Sequence, residues 1–106
     1  MKRAEMKRVG ILGGGAWGTA LAQVCARAGL APMLWALEPE VVEAITARRE
    51  NPLFLPGVAL DGAIATTGEA RDLLACDFIL AVVPAQHLRA TLAALADGFP
   101  AGLPVV

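Results

Sequence analysis

Between Lys7 and Thr19 the chain passes from an apolar run, Val9-Gly10-Ile11-Leu12, into Gly13-Gly14-Gly15-Ala16-Trp17-Gly18, a GxGxxG spacing whose glycines answer different physical demands. Gly13 has to bend the chain sharply from strand to helix, where a Cβ would be penalised. Gly15 removes a side chain where phosphate oxygens must approach the backbone. Gly18, one turn into the helix, lets that helix lie close on the sheet. Amides at the helix start, which have no partner inside the helix, supply hydrogen-bond donors and partial positive charge. The chemistry implied is recognition of a dinucleotide pyrophosphate by main-chain nitrogen. No basic side chain is needed for it, and the motif holds none. The glycine string alone is a weak signal, and a glycine-rich turn that binds nothing is its bland alternative. The strand before it and the amphipathic helix after it are the context that makes it specific.

The elements that must position this turn follow along the chain. A first strand over Lys7–Leu12 leads into the turn. A helix over Thr19–Ala28 carries Ala20, Leu21, Val24, Cys25 and Ala28 at helical spacing and stops at Gly29. A second strand spans Ala31–Ala36, and a second helix runs from Pro39 to Arg49, with proline suited to a first helical position. Asn51-Pro52-Leu53-Phe54-Leu55-Pro56-Gly57 reads as an ordered loop. A short strand over Ala63–Thr66, a helix over Thr67–Leu74 and a strand over Asp77–Val83, unbroken in its apolar character and so expected to be buried on both faces, come next. A helix over Ala85–Ala96 sets Leu88, Leu92 and Leu95 on one face, and Pro104-Val105-Val106 resembles the opening of a fifth strand. Strands alternating with helices predict an α/β fold, a doubly wound parallel sheet incomplete at its carboxyl end. The expected organisation is a flexible tail over 1–6 and one dinucleotide-binding domain over 7–106, with the chain as part of something longer.

Composition narrows the function classes. The chain has 106 residues, 57% of them hydrophobic and 18% charged, with a net charge of −1, which suits a compact core rather than a tail. Lys and Arg are interspersed with Asp and Glu, against the clustered basic surface that nucleic-acid phosphates demand. The longest apolar run, Phe78–Val83, is far below the roughly 18 residues a membrane span needs. The mixed charge of Met1-Lys2-Arg3-Ala4-Glu5-Met6 lacks an apolar signal core, so a cytoplasmic location is expected. Cys25 and Cys76 lack any motif spacing and read as reduced core residues. Glu40, Glu43, Glu69 and Asp72 read as solvated helix faces, and no metal-ligand spacing is present.

With these elements placed, the chain resembles the amino-terminal end of the NAD(P)-dependent sn-glycerol-3-phosphate dehydrogenases over residues 7–106. The resemblance rests on Gly13-Gly14-Gly15-Ala16-Trp17-Gly18-Thr19-Ala20-Leu21-Ala22, on Leu34-Trp35-Ala36 with Glu38-Pro39-Glu40, on Arg49-Glu50-Asn51 followed by Leu55-Pro56-Gly57, and on Val82-Val83-Pro84-Ala85-Gln86. The aromatic inside the glycine motif and the Leu55-Pro56-Gly57 loop set it apart from generic Rossmann domains and from ketopantoate-type reductases. The resemblance implies a cytoplasmic enzyme that interconverts dihydroxyacetone phosphate and sn-glycerol 3-phosphate by hydride transfer and feeds glycerophospholipid synthesis. It also implies a homodimer with a helical carboxy-terminal substrate domain. A non-catalytic nucleotide-binding or redox-sensing module on the same scaffold is the alternative.

Carried over to this sequence, Gly13, Gly15, Ala16, Trp17 and Gly18 would line the pyrophosphate turn, with a plain core aromatic as the other reading of Trp17. Position 37 is where bacterial members often hold Arg or His near the adenosine ribose. Here it is Leu37, which cannot pair with a 2′-phosphate, while Glu38 would repel one and accept hydrogen bonds from ribose hydroxyls. That favours NAD over NADP, although Glu38 also suits a helix start. Arg48 and Arg49, roughly 15 Å further along the helix at about 1.5 Å per residue, are too far to compensate. Pro84 and His87, after the fourth strand, would sit beside the cofactor, His87 reading otherwise as a helix-start residue with no acidic neighbour to orient its ring. The family's proton-transferring lysine has no match, because the chain's lysines are Lys2 and Lys7, ahead of the turn. No catalytic residue is assigned, and the chain alone is expected to turn over nothing.

Overall fold

In a parallel sheet covered on two sides, alternate residues of one strand must serve opposite layers, and the first strand, β1 (Arg8–Leu12), does so. The computed structural model describes residues 7–83, 85–95 and 102–106, so the tail expected over 1–6 lies outside it. Val9 and Ile11 point into one buried cluster and Leu12 into another. The first cluster joins them to Ala22 and Cys25 of α1 (Ala16–Arg27), Leu34 of β2 (Ala31–Trp35), and Val41 and Ile45 of α2 (Pro39–Arg48). The second joins Leu12 to Leu73 of a 3-10 segment (Ala70–Ala75), Ile79 of β4 (Phe78–Ala81) and Leu95 of α3 (Ala85–Leu95). With β3 (Ala65–Thr67) the strands are all parallel in the order β3-β2-β1-β4, the doubly wound arrangement expected. Val105 forms a parallel bridge to Ile79, where the fifth strand was expected to open.

The order reverses direction between β1 and β4, because the chain winds outward through β2 and β3 and then returns to the other side of β1. Crevices for ligands form outside the carboxyl ends of strands at such a reversal. No helix among the described residues is long and apolar enough to cross a membrane.

Several local expectations are corrected. α1 starts at Ala16, ahead of the Ala- and Leu-rich stretch over Thr19–Ala28, with Gly15 as its N-cap and Gly18 within its first turn. Its packed stripe runs through Gly18, Thr19, Ala22 and Cys25, whereas Val24, expected on that stripe, is 60% exposed. At about 100° per residue those four residues share roughly a third of the helix circumference, and Val24 falls on the opposite side. β4 is shorter than Asp77–Val83, and only its Ile79 is fully buried. α1 packs on β1 and β2 and α2 on β3, leaving Phe78 and Leu80 only half covered on that face. The helix expected from Thr67 is a 3-10 segment beginning at Ala70. Thr67 ends β3, and its hydroxyl accepts from the Glu69 amide (2.9 Å) and donates to the Asp72 carboxylate, a side-chain turn that displaces the helix start. Asp72, read from sequence as merely solvated, is therefore tied to this turn. Cys25 and Cys76 are both buried and free, and burial pushes each thiol above its ordinary pKa.

Candidate functional site

At the reversal the carboxyl ends of β1, β2 and β4 surround a cavity of about 520 Å³. Its floor is Gly13–Gly18, one wall is Trp35, Leu37, Glu38 and Phe54, and the other is Val82, Val83, Ala90 and Thr91. Glu38 is the charged residue among these. The lining thus combines apolar side walls with a polar main-chain floor, the usual make-up of a cofactor site.

Steric necessity shapes the floor. Gly13 has φ +136°, a conformation that side chains rarely adopt, and a Cβ there would also meet the Val82 carbonyl at 3.0 Å. Its amide donates to the Trp35 carbonyl (3.1 Å), tying the end of β1 to the end of β2 and removing Gly13 from the set of available donors. A Cβ on Gly18 would stand 1.7 Å from the Gly13 carbonyl oxygen, so only glycine lets α1 close on the turn. A Cβ on Gly14 would stand 2.5 Å from that of Ala36, a constraint that the GxGxxG spacing does not announce. Gly15 differs from all three, since a Cβ there would meet nothing within 4 Å. Its missing side chain serves the open space above it rather than packing.

α1 begins at this opening. Its first turn has no side-chain cap and no acidic residue. Thr19 N donates to Gly15 O at 3.0 Å as the first helical bond, so the amides of Ala16, Trp17 and Gly18 precede the first residue with an intrahelical acceptor. An anion is the partner that such a terminus favours. The residues present therefore fit a dinucleotide diphosphate.

Trp17 is 77% exposed on the cavity rim, which excludes the core-aromatic reading. Leu37 is 74% exposed on the rim near the end of β2. Glu38 is the N-cap residue of α2, yet its side chain makes no capping hydrogen bond and lines the cavity instead. Arg49 is committed elsewhere: in the left-handed conformation at the end of α2, its guanidinium donates to the carbonyls of Asp61 and Ile64, both at 2.7 Å. That clamp closes the long connection into β3 and takes Arg49 out of contention as a phosphate ligand. Pro84 lies outside the described residues. His87 falls in the first turn of α3, after β4, with its side chain outside what is described.

Sequence reasoning missed one contributor to the floor. Asn51, fully buried, donates from Nδ2 to the Gly14 carbonyl (3.0 Å) and to Thr19 Oγ1 (2.8 Å). Its Oδ1 accepts from the Phe54 amide (3.2 Å), and its carbonyl accepts from the Leu55 amide (2.8 Å). The proline-punctuated loop is thereby pinned beneath the glycine turn and presents Phe54 to the cavity. The signal available in the sequence was an asparagine followed by an apolar, proline-bounded stretch, which marks a turn but not what the side chain holds.

Comparison with known proteins agrees with this geometry. A family model described as NAD-dependent glycerol-3-phosphate dehydrogenase N-terminus matches residues 8–106. A glycerol-3-phosphate dehydrogenase (NAD(P)+) from Caulobacter vibrioides is 59% identical over 100 residues, covering 94% of this chain and 30% of that protein. One from Paramagnetospirillum magneticum is 52% identical over 101 residues, 95% of this chain and 37% of that protein. The crystal structure of glycerol-3-phosphate dehydrogenase from Coxiella burnetii matches with a TM-score of 0.87 at 29% identity, over 94% of this chain and 31% of that one. The chain spans roughly a third of the length of the relatives it matches. These matches do not favour a non-catalytic module.

Proposed function

The chain belongs to the NAD-dependent glycerol-3-phosphate dehydrogenase family, and on that premise we propose that it is the cofactor-binding segment of an enzyme interconverting dihydroxyacetone phosphate and sn-glycerol 3-phosphate. The supporting observation is the uncapped start of α1, opening beneath Gly15 into the cavity at the sheet's reversal. The amides of Ala16, Trp17 and Gly18 bind the diphosphate, Gly15 keeps its path clear, and Gly13 makes the turn that brings them there. Glu38 accepts hydrogen bonds from the adenosine ribose hydroxyls, and exposed Leu37 offers nothing to a 2′-phosphate, so NAD is preferred over NADP. By resemblance to the family, Pro84 and His87, which follow β4 in sequence, are assigned to the cofactor as well.

When bound, a nicotinamide cofactor supplies or accepts the hydride. The chain's part is to bind and orient it and to keep water from the walls formed by Val82, Val83 and Phe54. A proton-transferring amine must come within hydrogen-bond reach of the substrate carbonyl. Lys2 and Lys7 both precede the turn and match no family lysine; membership of the family implies that the catalytic lysines and the hold on the phosphorylated substrate come from a following helical domain. The parent is a cytoplasmic homodimer serving glycerophospholipid synthesis, and the 106-residue chain alone is inactive.

Titration of the purified chain with NADH and NADPH, followed by tryptophan emission, tests this reading. Trp17 and Trp35 both line the cavity, so NADH is expected to quench their emission and to bind more tightly than NADPH. Quenching by neither nucleotide would remove the site, and tighter NADPH binding would overturn the assignment of Leu37 and Glu38.

A further inference from the structure

Resting on the cofactor-binding reading above, we propose that Asn51 is a positioning residue for the diphosphate: it turns the Gly14–Gly15 peptide so that the Gly15 amide faces the cavity. The described residues contain no cis peptide. In a trans peptide the carbonyl and the following amide point in opposite directions. The Gly14 carbonyl is drawn into the interior by two donors, Asn51 Nδ2 at 3.0 Å and Thr19 Oγ1 at 3.3 Å. The Gly15 amide is therefore directed outward, to the side where a Cβ on Gly15 would meet nothing.

Asn51 suits this role through its amide chemistry. Both Nδ2 hydrogens have acceptors, Gly14 O and Thr19 Oγ1, and Oδ1 has a donor in the Phe54 amide. One buried side chain thus sets the orientation of the turn's peptide and the position of Phe54 on the opposite wall. Aspartate has the same shape but no hydrogens to offer. Its carboxylate oxygen would face the Gly14 carbonyl oxygen, favour rotation of that peptide, and add a buried negative charge under the diphosphate.

The test compares wild type, Asn51→Asp and Thr19→Val in the full-length protein. It measures dissociation constants for NADH and for ADP-ribose, which shares the diphosphate but lacks the nicotinamide, together with kcat and the KM for dihydroxyacetone phosphate at saturating NADH. For Asn51→Asp both dissociation constants are expected to rise by the same factor, about tenfold or more. At saturation kcat and the substrate KM are expected to stay within about twofold, as lost diphosphate contacts act on cofactor binding rather than on the bound reaction. A purely structural role would lower the folded fraction, and hence the signal amplitude and apparent kcat, without moving the dissociation constant of the molecules that remain folded. Thr19→Val, which removes one of the two donors to Gly14 without adding charge, is expected to raise both constants by about threefold, and it decides the matter if Asn51→Asp does not fold. Unchanged constants in a folded Asn51→Asp, or in Thr19→Val where Asn51→Asp does not fold, or a rise for NADH without one for ADP-ribose, would overturn the role of Asn51 and leave the cofactor site standing. Wild-type protein that binds neither ligand would overturn the site itself.

Discussion

The floor and the lip of the cavity are built on opposite principles. In the floor, Gly13, Gly14 and Gly18 stand where no side chain fits, against Val82, Ala36 and the Gly13 carbonyl, while Gly15 faces open space, and the turn is fastened from beneath by Asn51 and Thr19. The lip consists of exposed side chains, Trp17 at 77% and Leu37 at 74%, with Phe54 beside them. Substitution at Gly13, Gly14 or Gly18 is expected to disturb the fold and the site together, whereas substitution on the lip is expected to alter what the site selects and leave the fold alone. In the proposed binding mode the diphosphate, common to both nicotinamide dinucleotides, would face the rigid part and the discriminating ribose the tolerant part.

The sharpest way to break this contrast is Gly18→Ala. The added methyl would overlap the Gly13 carbonyl oxygen, and the expected loss of stability is at least about 3 kcal/mol, read from urea unfolding. Stability unchanged within error would mean that the floor is not sterically determined. Gly15→Ala separates floor packing from floor function, because its site is open and its φ of −74° suits alanine. The expected change in stability is within about 0.5 kcal/mol, while the NADH dissociation constant rises about tenfold, equivalent to ~1.4 kcal/mol. Equal effects of Gly15→Ala and Gly18→Ala on stability would erase the distinction.

On the lip, Leu37→Arg is expected to improve NADPH binding relative to NADH by about fivefold, or ~1 kcal/mol for an exposed ion pair, with an unaltered unfolding midpoint. An unmoved preference would place the adenosine ribose away from β2. The smallest effect concerns neither region but the core beneath them. Burial raises both thiols, and for Cys76 the Arg8 charge works against that rise while Asp77 adds to it. The folded chain thus keeps these protons to higher pH than the unfolded one does. Stability is level below the ordinary thiol range and declines as pH rises through it. Urea midpoints across the alkaline range should show that decline, flattened in a Cys25→Ala, Cys76→Ala double variant, and an identical slope in that variant would exclude the thiols as its cause.

The floor was legible because its signal is local: an apolar strand, a turn and a helix succeed one another within about a dozen residues, and each glycine acts on its near neighbours. That Leu37 and Glu38 would border the cavity was legible for the same reason, since both follow closely on β2. Boundaries fared less well. The late start of the helix after β3 depends on the Thr67 hydroxyl, and the exposure of Val24 depends on which side of α1 the sheet takes up. Neither dependence has a propensity attached to it.

By itself, the order of residues determined the alternation of strands and helices and a glycine turn with no basic residue in it, because hydrophobic period and backbone conformational preference act over a few residues. Tertiary structure alone decided that Asn51, 37 residues from Gly14 along the chain, would lie beneath that turn, that Arg49 would be committed to a clamp, and that Trp17 would face the cavity. Those outcomes depend on contacts between distant segments, which come together only after the sheet has been assembled and its two faces covered.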